Sequence, residues 1–165
     1  PPALRLALPP RVVVVDDALQ GPLVQDVAAT VGDFVLQRGD GAYAYQLACV
    51  VDDLAMGITE VVRGADLLAS APRQALLAEL LGGVPPRFAH VPLVVAPDGA
   101  RLAKRAHGVS LRDHRDAGVA PGTVVAALAR MFGLPPRATP DEMVAGFERG
   151  AFAGRSEVRL PAWQW

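Results

Sequence analysis

The chain has 165 residues, 52% of them hydrophobic and 20% charged, which is enough for one domain with its own core. Its formal net charge of -1 excludes bulk attraction to nucleic acid or anionic lipid, so any such contact must use a local patch. A single cysteine, Cys49, excludes an internal disulfide and a cysteine-rich zinc cluster, and no apolar run is long enough to span a bilayer, so no membrane contact and a cytoplasmic location are expected.

The chain opens on Pro1 and Pro2 rather than Met, so a processed or truncated piece is expected. "ALRLAL" alternates and predicts a short strand, and the β-branched "RVVVVDDAL" predicts another, broken by "QGP". "GDFVLQRGDGAYAYQL" predicts a hairpin around Gly39, Asp40 and Gly41. "ACVVDDLAM" suits a buried helix or a strand, and Gly57 ends it. "GITEVVRG" predicts a buried strand between glycines. In "ADLLASAPRQALLAELLGG", Pro72 suits a first helical turn, and Leu76, Leu77, Leu80 and Leu81 form an apolar stripe expected in the core. "RFAHVPLVV" predicts a strand with Pro92 at an edge or bend.

Next comes "APDGARLAKRAHG", with Arg101, Lys104 and Arg105 on a turn and no acid among them. Such a cluster is either a solvated loop or a grip for phosphate. "VSLRDHRDAG" predicts a helix with Ser110 as N-cap and Asp113 completing a capping box. "APGTVVAALARMFG" repeats Val124, Val125, Leu128, Met131 and Phe132 at helical spacing. "ATPDEMVAGFERG" predicts a helix capped by Thr139 with Pro140 at its first position. The tail, with Trp163 and Trp165, predicts nothing definite.

This order predicts an α/β fold with a β-rich N-terminal part and a helical C-terminal part, the strand–helix–strand centre forming part of a parallel sheet. Ligands of such sheets bind beyond the carboxyl ends of the strands. Arg63 follows "ITEVV" and Lys104 follows "PLVV", so both are expected on that edge. On position alone, Lys104 is an exposed turn lysine and Tyr45 a core tyrosine, while Arg63 stands evenly between a surface and a binding role. Asp52 and Asp53 are expected in turn or cap duty, because neighbours on a strand point to opposite faces. His90 is expected to be packed, His107 and His114 to lie on the surface, and Cys49 to be a small buried hydrophobe.

The long ordered stretch from "GDFVLQRGDGAYAYQLACVVDDLAMGITEVVRGADLLASAPRQALL" to "HVPLVVAPDGARLAKR" resembles the second half of the catalytic domain of glutamyl-tRNA synthetases. Within that family it is most similar to the short paralogous group, the glutamyl-Q tRNA(Asp) synthetases, through "RGADLL". The resemblance implies the second half of a class I synthetase Rossmann-like catalytic domain. It assigns residues 1–41 to a β-rich connection and hairpin, 42–108 to the second half of the nucleotide-binding fold, and 109–165 to the helical part.

"RLAKR", residues 101–105, stands where the family carries its KMSKS-type loop, and the resemblance makes Lys104 the catalytic, ATP-contacting lysine. Arg101, Ala103 and Arg105 depart from the family's lysine and serines. Tyr45 and Arg63 match two positions that hold glutamate. The implied reaction joins L-glutamate to ATP, taken with Mg2+, as glutamyl-adenylate, and passes it to the queuosine base of tRNA(Asp). A monomer is expected. The family's HIGH-type motif and any zinc site belong to an upstream half not found here. The alternatives are part of a glutamyl-tRNA synthetase charging tRNA(Glu), or a piece that binds tRNA without catalysis.

Overall fold

The computed structural model describes residues 2–96, 98–99, 110–131, 133–136 and 139–159. They fall into two units, Pro1–Val91 and Pro92–Trp165.

The first unit runs β1 (Leu4–Leu6), β2 (Val12–Asp17), β3 (Gly21–Asp26), α1 (Val27–Thr30), β4 (Phe34–Gln37), α2 (Tyr45–Met56), β5 (Glu60–Gly64), a 3-10 stretch (Ala65–Ser70), α3 (Ala71–Leu80) and β6 (Arg87–Val91). Its main sheet has the order β3-β2-β6-β5. Strands β2, β6 and β5 are parallel and β3 is antiparallel to β2. The expected strand–helix–strand is β5, α3 and β6.

Strand β2 shows how the sequence builds the core. Val13 and Val15 are buried while Val12 and Val14 face out, as the period-2 pleat requires. Val13, Val15, Val27, Val50, Leu77 and Phe88 belong to one hydrophobic cluster between the sheet and helices α2 and α3. Each fully buried aliphatic side chain contributes roughly 1.5–3 kcal/mol.

Several expectations change. "QGP" does not end the β-structure; it turns the chain into β3. Asp17 Oδ1 accepts the N–H groups of Leu19 and Gln20, and Gly21 takes φ 79. Pro22 is tolerated because β3 is an edge strand. The expected hairpin of residues 32–47 shrinks to β4 and one antiparallel bridge, Gln37 to Tyr43. Tyr45 opens helix α2 instead of extending a strand. Asp52 and Asp53 therefore lie on a helix, which closes at Gly57 (φ 68) with the Ile58 N–H on the Asp53 carbonyl.

Strand β5 is an edge rather than a fully buried strand, and Val62 on its outer face is 64% exposed. Leu76 and Leu77 are core, but Leu80 and Leu81 are 53% and 51% exposed, because α3 is enclosed along its length and emerges at its final turn. Cys49 is only partly buried.

The second unit holds β7 (Leu93–Val95), α4 (Leu111–Asp116), α5 (Pro121–Met131), α6 (Pro140–Ala145), a 3-10 turn (Arg149–Phe152) and β8 (Glu157–Arg159), with β7 and β8 parallel. Pro92 separates β6 from β7, which join different sheets. The expected capping box of Ser110 with Asp113 forms, and Thr139, expected as an N-cap, forms a second with Glu142. Helix α5 buries Ala127 and Ala129 and leaves Leu128 exposed. Strand β8 lies in a tail whose sequence does not announce it.

Candidate active site at the carboxyl edge of the sheet

The three parallel strands change character together at their carboxyl ends. On β2, Val13 and Val15 give way to Asp17; on β5, Val61 gives way to Arg63; on β6, Phe88 gives way to His90. Asp17 and Val61 both pair with Phe88, and Arg63 pairs with His90. Residues two apart share a face, so the apolar layer and the polar trio lie on the same side of the sheet.

The trio is one hydrogen-bonded chain. His90 Nδ1 lies 2.5 Å from Asp17 Oδ2, and Arg63 Nε donates to His90 Nε2 at 3.0 Å. The His90 N–H also donates to Asp17 Oδ1 at 3.1 Å, and the His90 carbonyl accepts Gln20 Nε2 at 2.7 Å. His90 and the Asp17 side chain have no exposure to solvent.

These contacts fix the imidazole. Arginine Nε carries a hydrogen and can only donate, so His90 Nε2 is the unprotonated acceptor. The ring proton sits on Nδ1 and points at Asp17. The ring is neutral, between a carboxylate and a guanidinium. Burial pushes the Asp17 carboxyl up. The His90 ring and the N–H groups of Gln20, His90 and Leu19 outweigh it, holding the group below the ordinary aspartate value.

Arg63 is supported from other sides. Its Cζ lies 5.3 Å from the centroid of the Phe88 ring, and Nη2 reaches the Leu67 carbonyl at 3.4 Å. Phe88 in turn stacks on His90, with ring centroids 6.0 Å apart.

Tyr45 faces this arginine. It is the first residue of α2, and Cys49 follows one turn later on the same side. The neighbouring Cys49 side chain raises the phenol's pKa, with burial adding to the rise. The nearby Arg63 guanidinium opposes this and draws the phenol's pKa down. Tyr45 remains 51% exposed, so the phenol and the guanidinium form an open, cationic, hydrogen-bonding corner suited to a carboxylate.

The structure thus brings Tyr45 and Arg63 together. Lys104 and the basic loop at 101–105 lie outside the described residues. Among the described residues, no cluster of three His, Cys, Asp or Glu side chains is placed to hold a metal ion. No described helix is long and apolar enough to cross a membrane. Sequence reasoning missed Asp17 and saw His90 only as packing. The available signal was parity: Asp17 falls on the inward register of Val13 and Val15, where an apolar residue belongs.

Comparison with known proteins agrees with this architecture. Residues 1–147 match the class I tRNA synthetases (E and Q), catalytic domain. The chain belongs to this family of ligases.

It is 48% identical over 164 residues to a glutamyl-Q tRNA(Asp) synthetase of Symbiobacterium thermophilum, covering 98% of this chain and 50% of that protein. A glutamyl-Q tRNA(Asp) synthetase of Deinococcus radiodurans is 51% identical over 147 residues, covering 88% of this chain and 50% of the relative. The resemblance to this group seen in the motifs is therefore supported along nearly the whole chain. Among solved structures, the glutamate-tRNA synthetase of Elizabethkingia anophelis superposes with a TM-score of 0.80 at 26% identity, over 97% of this chain and 37% of that one. The chain spans about half the length of the curated relatives it matches.

Proposed function

We propose that this chain supplies the amino-acid-binding half of a glutamate-activating, ATP-dependent ligase that works on tRNA, and that it does not turn over without the remainder of such an enzyme. The observation that carries this reading is the pairing of Tyr45 with Arg63 at the carboxyl edge of the parallel strands. The half-length match to the relatives supports the second clause.

In this reading Arg63 and Tyr45 hold glutamate, the guanidinium against a carboxylate and the phenol as a hydrogen-bond partner. The glutamate α-carboxylate attacks the α-phosphorus of ATP in line, forming glutamyl-adenylate and releasing pyrophosphate. Both reactants are anions, so positioning and charge stabilisation carry the step. Lys104 would meet the charge developing on the departing phosphates. Magnesium would enter with ATP. The glutamyl group then passes to a hydroxyl of the acceptor RNA, releasing AMP. The glutamyl-Q relatives favour the queuosine base of tRNA(Asp) as that acceptor. A second reading, charging of tRNA(Glu), draws on the structural match to a glutamate-tRNA synthetase.

The test is glutamate-dependent ATP–pyrophosphate exchange on the complete gene product, with and without tRNA. Arg63→Gln should raise the KM for glutamate by about tenfold to a hundredfold, the worth of a hydrogen bond to a charged group. Lys104→Ala should lower the rate by ~10²–10³-fold. Exchange kinetics untouched by both changes would refute the site. Base-labile glutamate on tRNA(Asp) supports the queuosine acceptor, and glutamate on tRNA(Glu) supports the second reading.

A further inference from the structure

We propose that Asp17 and His90 are positioning residues, which lock the Arg63 guanidinium in its ligand-holding orientation through a neutral imidazole of fixed tautomer. The proposal rests on the reading that Arg63 binds glutamate.

The argument begins with what an arginine at this place would do unaided. Arg63 sits on an edge strand, at its carboxyl end, with a long side chain and many rotamers. Holding such a chain in one pose costs conformational entropy. The structure meets that cost with a directed acceptor. His90 stands on the neighbouring strand at the position paired with Arg63, so its ring reaches the guanidinium within one strand spacing. Its Nε2 takes the Arg63 Nε–H at 3.0 Å, so the ring engages the guanidinium through Nε alone, and Nη2 reaches the Leu67 carbonyl at 3.4 Å.

The acceptor works only in one protonation state. Were the ring proton on Nε2, two N–H groups would meet and Arg63 would be pushed away. Asp17 decides the matter. Its carboxylate, buried and held by the N–H groups of Leu19, Gln20 and His90, can only accept, so the proton stays on Nδ1. The polarity therefore runs one way from the β2 carboxylate to the β5 guanidinium. The Phe88 ring holds the guanidinium from another side.

The enzyme reading and the positioning reading fail differently. In the complete gene product, Arg63→Gln tests the first. If it leaves the glutamate KM unchanged, Arg63 is not a glutamate ligand and the proposal falls with that reading. If it raises that KM, His90→Leu tests the second. This variant removes the acceptor and should raise the glutamate KM about tenfold or more, leaving the ATP KM unchanged. His90→Gln, whose amide carbonyl can accept from Arg63, should recover most of the loss. A His90→Leu enzyme with a lower melting temperature but a wild-type glutamate KM would overturn the proposal and leave His90 a packing residue.

Because His90→Leu can fail to fold, the wild-type ring is read directly as well. Nitrogen-15 NMR of the His90 imidazole should show a protonated Nδ1 and an unprotonated Nε2. A proton on Nε2, or on both nitrogens, would overturn the proposal without any variant.

Discussion

Asp17→Asn is the sharpest probe of the buried trio. The carboxylate accepts from three backbone N–H groups through Oδ1 and from the His90 ring through Oδ2. Asparagine keeps Oδ1 and its three partners, so the loss is confined to Oδ2. There an NH2 group now faces His90 Nδ1, while Arg63 Nε–H faces the other ring nitrogen. A neutral imidazole has one acceptor, so two donors compete for it and one goes unpaired. Losing a charge-assisted hydrogen bond costs about 1.5–3 kcal/mol, and that is the destabilisation expected near pH 7.

The pH dependence has a definite sign. The folded-state pKa of Asp17 lies below its unfolded value of about 3.9. Its stabilisation is therefore fully present above about pH 4–5 and is lost as pH falls through the folded pKa. Urea unfolding of wild type and variant should show the full gap at about pH 7 and a narrowing gap below about pH 4. A variant as stable as wild type near neutrality would refute the reasoning, and so would a gap that stays constant into acid.

Two further outcomes follow from individual contacts. Cys49→Ala removes the largest influence raising the Tyr45 pKa and leaves the opposing pull of Arg63, so the phenol should ionise at lower pH. Phenolate absorbance in an alkaline titration, with Tyr45→Phe subtracted, measures this, and an unchanged curve counts against the Tyr45–Cys49 contact. Gln74 is 3% exposed with its Nε2 unbonded, and it lines a small cavity with Val50, Asp53, Leu54 and Phe88. Gln74→Met keeps the volume and removes the orphan donor, so chemical denaturation should show a gain of about 1 kcal/mol; a loss would mean that the amide has a partner worth more.

Local rules made much of the fold legible. The capping box at Ser110 and the N-cap at Thr139 need only residues within one turn, and the sequence displays them. The β5–α3–β6 unit follows from a β-branched run, a helical run with an early proline, and a second extended run. The failures have physical causes. Tyr45 sits in alternating "AYAYQL", yet the chain turns at Gly41 and starts a helix two residues after Tyr43. Leu80 and Leu81 carry helical periodicity, but they stand where α3 emerges, half-exposed beside the buried Leu77 and Ala78. The Asp17–His90 contact spans 73 residues, and no local pattern announces such a pairing. Only the family resemblance singled out Arg63 beside Tyr45, and it said nothing of what lies behind the arginine.

The placement of the imidazole explains why a buried acid can coexist with a ligand-holding arginine. A carboxylate set directly against Arg63 would take the guanidinium fork in two parallel hydrogen bonds. That would satisfy the buried charge and occupy the donors that a substrate carboxylate needs. With His90 between them, the Asp17 charge is satisfied by hydrogen bonds from Nδ1–H and its backbone partners, while Arg63 gives Nε–H to the ring and Nη2 to the Leu67 carbonyl. The guanidinium keeps its charge and its remaining N–H donors, and its orientation comes from behind. The same logic accounts for the strand order. An acid on β2, a histidine on β6 and an arginine on β5 are one strand apart at each step, so the sheet itself sets the spacing of the relay.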